Sequence, residues 1–333
     1  MIRYGVVGAG WRAEFYLRIA ALVPEKFEVT GIFVRNPDER QRIADTYSAK
    51  VCESLEQLLD TGCDFVVSCV KSSAILDTAA TLAERDMPVL TETPAGTDLD
   101  MIRDMRNKLQ PDWKIQVAEQ FHLQPRHAAL QAVVDSGILG DIHHLQLSMC
   151  HGYHAVSLIR RYLGTGNQMP DIQKVTLPDV SMRYNSRQGI SKPVATDMPQ
   201  TIALLSFGDK SAVYDFTRAQ YFSAIRGKRI LIRGTKGEIV NDTCTYLESD
   251  QPMTFSLTRD TFGANGSLNG LYLRSITGNG KTWYRNPFPG ARLTDEEVAI
   301  ATCLIKMDEY LHGGAPFYPI EEALLDTEIS LQL

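Results

Sequence analysis

The chain has no CxxC pair, no internal repeat and no low-complexity segment, and no apolar run approaches the roughly 18 residues of a membrane-spanning helix. It has no basic surplus either: 34 Lys and Arg stand against 40 Asp and Glu, a formal net charge of −6. That balance argues against nucleic acid or an anionic membrane as partner and favours small-molecule chemistry. The N-terminal apolar stretch runs straight into Arg12 and Glu14 with no cleavage-like segment, so a cytoplasmic protein is expected. The six cysteines, Cys52, Cys63, Cys69, Cys150, Cys244 and Cys303, show no pairing rhythm and read as reduced thiols in packing roles.

At about 150 residues per domain, the 333 residues make roughly two domains, and 44% apolar content is enough for a sizeable core. Ile2 to Val7 reads as a buried parallel strand, and Trp11, Phe15, Ile19 and Leu22 recur at helical spacing until Pro24. Between them lies Gly8-Ala9-Gly10-Trp11-Arg12-Ala13, a Gly-x-Gly-x-x-Ala turn from strand to helix. Glycine there permits a tight turn and close backbone approach to a pyrophosphate at the positive end of the helix. Gly8, Gly10, Trp11 and Arg12 are therefore candidate cofactor-binding residues.

Strand and helix keep alternating. Phe27 to Val34 is a strand, Asn36-Pro37-Asp38-Glu39 starts a helix, and Ser54-Leu55-Glu56-Gln57 is a capping box. Further strands are expected at 64–70, 88–91 and 114–118, with helices over 74–85 and from Asp98 onward. Residues 1–119 thus form a doubly wound Rossmann-type nucleotide-binding domain. Residues 120–333 follow another pattern: a helix near 125–136, a strand at 141–149, a helix at 154–163, then mainly strands with tight turns at Gly208-Asp209, 234–237 and Asn279-Gly280, and helices at about 293–312 and 320–332. This reads as an α+β domain with a large open, mainly antiparallel sheet, whose uncovered face predicts a homodimer or homotetramer.

These motifs together resemble the Gfo/Idh/MocA oxidoreductase family, which includes glucose-fructose oxidoreductase and inositol dehydrogenase. The likeness rests on Gly8-x-Gly10, Asp64-Phe-Val-Val, Pro88-Val-Leu-Thr-Glu-Thr-Pro94, Gly140-Asp-Ile, the His154 to Gly164 helix and the hairpin from Arg229 to Glu238. It implies NAD or NADP as cofactor and oxidation or reduction of a hydroxyl-bearing carbon in a sugar, polyol or related compound. It also implies cofactor contacts from Val70, Lys71, Glu92, Thr93 and Gln120. Two alternatives keep the nucleotide: a nicotinamide-dependent lyase or glycosidase without net redox, and a catalytically silent binding or regulatory protein.

Three departures bear on chemistry. The family's Glu-Lys-Pro reads Glu92-Thr93-Pro94 here, and a threonine is no base near neutral pH. Cys150 stands where many members carry an aspartate, and Val70-Lys71-Ser72-Ser73 replaces the turn after the fourth strand. His154 is the remaining acid-base candidate, because imidazole can pass a hydroxyl proton near working pH. Tyr153 and Thr93 are its candidate helpers, and His151, Tyr153, His154 and His122 are candidate substrate contacts. His143 and His144 are neighbours on a strand, so at most one enters a site. His151-x-x-His154 has no third ligand in view, so no metal is expected. At the end of the second strand, Val34-Arg35-Asn36 offers no carboxylate to a ribose 2′-hydroxyl, and Arg35 can pair with a 2′-phosphate. NADP is therefore preferred over NAD, with Arg35 and Asn36 at that end of the site.

Overall fold

The computed structural model describes residues 1–47, 49–186, 189–263 and 270–333. The first half alternates β1 (Ile2–Val7), α1 (Trp11–Leu22), β2 (Phe27–Phe33), α2 (Pro37–Tyr47), β3 (Val51–Cys52), α3 (Leu55–Leu59), β4 (Phe65–Ser68), α4 (Ile75–Ala83), β5 (Val89–Thr91), α5 (Leu99–Lys108) and β6 (Ile115–Val117). The starts of these helices are explained by their caps. Ser54 accepts a hydrogen bond from the Gln57 amide, and Asp98 accepts one from Met101. The strands are buried on both faces and pair in parallel in the order β3-β2-β1-β4-β5-β6. The order reverses between β1 and β4, the switch point at which such sheets bind ligands.

The chain continues through α6 (Pro125–Asp135), β7 (Ile142–Ser148), α7 (Gly152–Leu163), β8 (Asp171–Leu177), β9 (Val180–Ser186), β10 (Gly189–Asp197), β11 (Gln200–Phe207), β12 (Lys210–Thr217) and α8 (Ala219–Phe222). Then come β13 (Arg229–Gly234), β14 (Gly237–Val240), β15 (Thr243–Glu248), β16 (Gln251–Ser256), β17 (Thr258–Thr261), β18 (Leu273–Gly278), β19 (Lys281–Arg285), α9 (Asp295–Leu311) and α10 (Ile320–Ser330). Among the described residues the large sheet has eight strands, ordered β16-β15-β14-β13-β7-β12-β11-β8, and all its pairs but β7–β12 are antiparallel. Register separates its two faces. Leu205, Ala212, Leu145, Ile232, Ile239 and Cys244 lie side by side across six strands and are all buried. The row Leu204, Val213, Gln146, Leu231 and Val240 lies on the other face and is partly or fully exposed. Helix α7 packs against β7 and β12 and ends at Gly164, whose φ of 62° is the left-handed closure that glycine makes easily. The other two sheets are β9 with β10, and β17-β18-β19.

The chain groups into two compact units, one of Met1–Pro125, Asp260–Arg274 and Arg285–Glu328, the other of Arg126–Arg259, Ser275–Tyr284 and Ile329–Leu333. Helix α9 and nearly all of α10 therefore complete the nucleotide-binding unit. Their attachment is specific: the first-turn acids Glu296 and Glu297 of α9 meet Arg12 and Arg18 of α1. The Gln116 side chain accepts from the amides of Phe317 and Tyr318, and the Val117 amide donates to the Tyr318 carbonyl, which covers the outer edge of β6. All six cysteines remain thiols, and five are buried. No helix among the described residues is long and apolar enough to cross a membrane.

One buried histidine links this packing to pH. His127 Nδ1 lies 2.9 Å from the Tyr162 hydroxyl, which itself donates to the His127 carbonyl at 3.2 Å. Burial, then the charges of Arg126 and Lys228, lowers the pKa of His127 from 6.5 to about 3. Between those values the unfolded chain binds the proton and the folded chain does not, so stability rises with pH across that window and is lost on acidification. We expect stability to fall by up to about 1.4 kcal/mol per pH unit below pH 6.5 from this group. His127→Gln should flatten that part of a urea-denaturation profile taken from pH 6.5 to 4; an unchanged slope rules out the assignment.

Candidate active site

The nucleotide turn is built from β1 running into α1. Gly8 has φ of 109°, and a Cβ on it would stand 2.5 Å from the Cys69 carbonyl oxygen, so only glycine lets this turn lie against the end of β4. Gly10 is the N-cap of α1 and brings no side chain to the helix start, and a Cβ on it would meet nothing within 4 Å. Open space over a bare helix N-terminus suits a pyrophosphate. The Arg42 guanidinium, which the sequence did not single out, donates to the Ala9 carbonyl at 3.1 Å and pairs with Glu14 at 2.9 Å, bracing the turn from α2.

Other polar groups at the carboxyl end of the same sheet also fit a bound nucleotide. Both polar atoms of the buried Gln120 amide, and the hydroxyls of Ser68 and Thr91, have no hydrogen-bond partner among the described residues. Such a group costs about 1–3 kcal/mol unless something outside the chain satisfies it. Val70 is half-buried, and exposed Lys71 precedes a short 3-10 turn over Ser72–Ala74. Arg35 is exposed just past β2, whereas the Asn36 side chain accepts from the Asp38 amide at 3.0 Å and is engaged in starting α2.

Arg12, Glu92 and Thr93 come together, though in an arrangement that holds their side chains to the fold. Glu92 is buried, accepts a 2.6 Å hydrogen bond from Tyr16, accepts from the Thr93 amide at 3.2 Å and lies 3.6 Å from Arg12 Nε. Arg12 also donates to Glu296 at 2.9 Å and stacks near Trp11 and Phe15. Burial works against the Arg12 charge, but Glu92 and Glu296 more than offset it, and its pKa rises. Burial, then Glu92, holds the Tyr16 phenol well above its usual value, so Tyr16 remains a donor. The Thr93–Pro94 peptide is cis. His122 also belongs to this unit, buried and stacked on Tyr318 with ring centroids 5.5 Å apart.

In the second unit His151, Tyr153 and His154 form a cluster at the start of α7. Ring centroids are 4.3 Å apart for Tyr153–His154 and 5.1 Å for His151–His154. His154 is buried, while His151 and Tyr153 are half-buried. Two tyrosines distant in sequence complete the cluster. The Tyr221 hydroxyl accepts from the His151 amide at 3.1 Å and lies 3.0 Å from His151 Nδ1, and the Tyr214 hydroxyl accepts from the Gly152 amide at 3.2 Å. The helix has no side-chain cap, so these phenols satisfy its first amides. Burial drives both phenols above their ordinary pKa. Tyr221 therefore keeps its proton and stays a neutral hydrogen-bonding partner of the His151 ring. Cys150, next to the cluster, is fully buried. His144 lies elsewhere on the sheet, with Nδ1 2.9 Å from the Ser211 hydroxyl.

Residues 2–136 match the family model described as "Oxidoreductase family, NAD-binding Rossmann fold", named for Gfo, Idh and MocA. Over that stretch the chain resembles the Gfo/Idh/MocA oxidoreductases. It is similar to an L-aspartate dehydrogenase of Methanococcus maripaludis, 24% identical over 270 residues that cover 77% of this chain and 92% of that protein. Two solved structures share its fold. An Agrobacterium radiobacter oxidoreductase in complex with NAD+, L-tartaric acid and magnesium superposes with a TM-score of 0.69 at 15% identity, covering 99% of this chain and 94% of that one. A myo-inositol dehydrogenase from Corynebacterium glutamicum gives 0.64 at 16% identity, with 99% and 95% covered.

Proposed function

We propose that the protein is an NAD(P)-dependent dehydrogenase or reductase acting on a hydroxyl-bearing carbon of a sugar, polyol or related small molecule. The observation that carries this reading is the His151–Tyr153–His154 cluster, held by tyrosines at a helix start, in a chain whose other unit has the bare glycine turn of a nucleotide site. When bound, the nicotinamide nucleotide supplies a hydride acceptor or donor. The residues that would hold it are Gly8, Gly10, Gln120, Lys71 and Thr93, with Arg35 at the adenosine end. His154 takes or returns the hydroxyl proton. His151 and Tyr153 orient the substrate by hydrogen bonds, and Thr93 can only position it.

A second reading, a nicotinamide-dependent enzyme without net redox, is favoured by threonine in the family's lysine position. Product formation without accumulation of reduced nicotinamide would distinguish it. Loss of that lysine also leaves proton transfer more dependent on His154. In a screen of sugars, polyols and cyclitols with both cofactors, His154→Ala should lower kcat on the best substrate by about 10²–10⁴-fold. Cofactor affinity should hardly change, and Thr93→Ala should cost less. Full turnover by His154→Ala overturns the assignment.

Arg35 and the absence of a carboxylate after β2 favour NADP over NAD. NADPH should bind more tightly than NADH by roughly ten- to hundredfold, and Arg35→Asp should reverse the order in calorimetry. Tighter binding of NADH by the wild type argues against this. The exposed row Leu204, Leu231 and Val240, with Val175 and Ile202 paired nearby, supports a homodimer or homotetramer built on that sheet face. Light scattering should give a dimer or tetramer that Leu204→Asp with Val240→Asp dissociates; a monomeric wild type overturns this.

A further inference from the structure

The His151 cluster continues into a cationic patch that the proposed reaction does not use. The rings of His151 and Tyr221 are 5.7 Å apart, and those of Tyr221 and Phe222 are 6.2 Å apart. Three cations stand over these two tyrosine and phenylalanine rings. Lys228 Nζ lies 5.5 Å from the Tyr221 centroid, and the guanidinium carbons of Arg183 and Arg218 lie 5.5 and 5.9 Å from that of Phe222. They come from β9, from the residue preceding α8 and from the residue preceding β13, so the fold gathers them from three separate places in sequence.

What distinguishes these cations is that, among the described residues, none of them is paired with an acid. Their neighbours in sequence are neutralised: Arg226 pairs with Asp179 at 3.7 Å, and Arg229 with Asp215 at 2.9 Å. Arg183, Arg218 and Lys228 form no ion pair among the described residues; Arg183 makes one long hydrogen bond, to the Asn185 carbonyl at 3.5 Å. The acids near them, Asp179 and Asp215, are already taken by Arg226 and Arg229. Cation–π contact holds the charged heads without satisfying their hydrogen-bonding capacity. Two guanidinium forks and an ammonium beside a hydroxyl-recognising cluster match an anion.

We propose that Arg183, Arg218 and Lys228 form an anion subsite continuous with the His151–His154 cluster, so that the preferred substrate carries a carboxylate or phosphate as well as hydroxyls. This rests on the assignment of that cluster as the substrate site. The test is calorimetric titration of the NAD- or NADP-loaded full chain with matched ligands in the gluco, galacto and manno series: each hexose, its hexuronate and its 6-phosphate. At least one anionic ligand should bind about ten- to hundredfold more tightly than its neutral match, and the advantage should shrink as salt is raised. The hexuronate and phosphate arms tell which anion is taken. Arg218→Glu and Lys228→Glu should each lower the anion-to-neutral affinity ratio at least tenfold, with circular dichroism confirming that the variants fold.

Equal affinities within every pair, no binding of any ligand, or an unaltered ratio in both variants overturns the subsite. Comparison with His154→Ala separates the two ideas. Loss of turnover in that variant without any anion preference leaves the dehydrogenase assignment and removes the subsite. Full turnover in it, with the anion preference still abolished by Arg218→Glu, does the reverse.

Discussion

The nucleotide-binding unit depends on the burial of one carboxylate. Glu92 ends the strand–loop passage after β5 in an environment that excludes water, and an isolated charge there would cost several kcal/mol. Arg12 supplies the countercharge and Tyr16 the hydrogen bond, both from α1, while Glu296 holds the far side of Arg12 from α9. Removing one partner of such a group typically costs about 3–5 kcal/mol, because the charge left behind stays buried. The network thereby fixes the glycine turn and the Thr93–Pro94 loop with respect to each other. In this protein those two stretches frame the proposed nicotinamide site, so their relative position bears on chemistry as well as on stability.

The second unit reaches a similar end by neutral groups. Histidines at the start of a helix are positioned there by phenols from β12 and α8, which accept the helix's first amides. The same phenol that satisfies the His151 amide also lies 3.0 Å from its ring Nδ1.

Much of the fold was legible in the sequence because it is written locally. The Gly8–Gly10 turn, the caps at Ser54 and Asp98, and the Asn279-Gly280 turn, where both residues take positive φ, are readable from a few neighbouring residues. The His151–His154 cluster was legible for the same reason, as one turn of one helix. Its supports were not: Tyr214 and Tyr221 lie 62 and 70 residues from the amides they serve. Arg12 and Glu92 were each recognisable beside the nucleotide turn, but only folding shows that they bind one another. In strand β8 the apolar residues do not mark a buried face, since nearly all of it is exposed at the sheet edge. The attachment of α9 to the first unit could not be read either, since Glu296 and Glu297 look like ordinary first-turn helix acids.

That attachment sets the order in which the protein can mature. A growing chain usually completes its N-terminal domain while the rest is still being made. Here the first unit lacks the Glu296 and Glu297 carboxylates and the cover over β6 until residues up to Glu328 have left the ribosome. During synthesis Arg12 faces Glu92 without its second acid and the edge of β6 stands open. The nascent nucleotide domain therefore gains these supports only once α9 and the segment over β6 have been made.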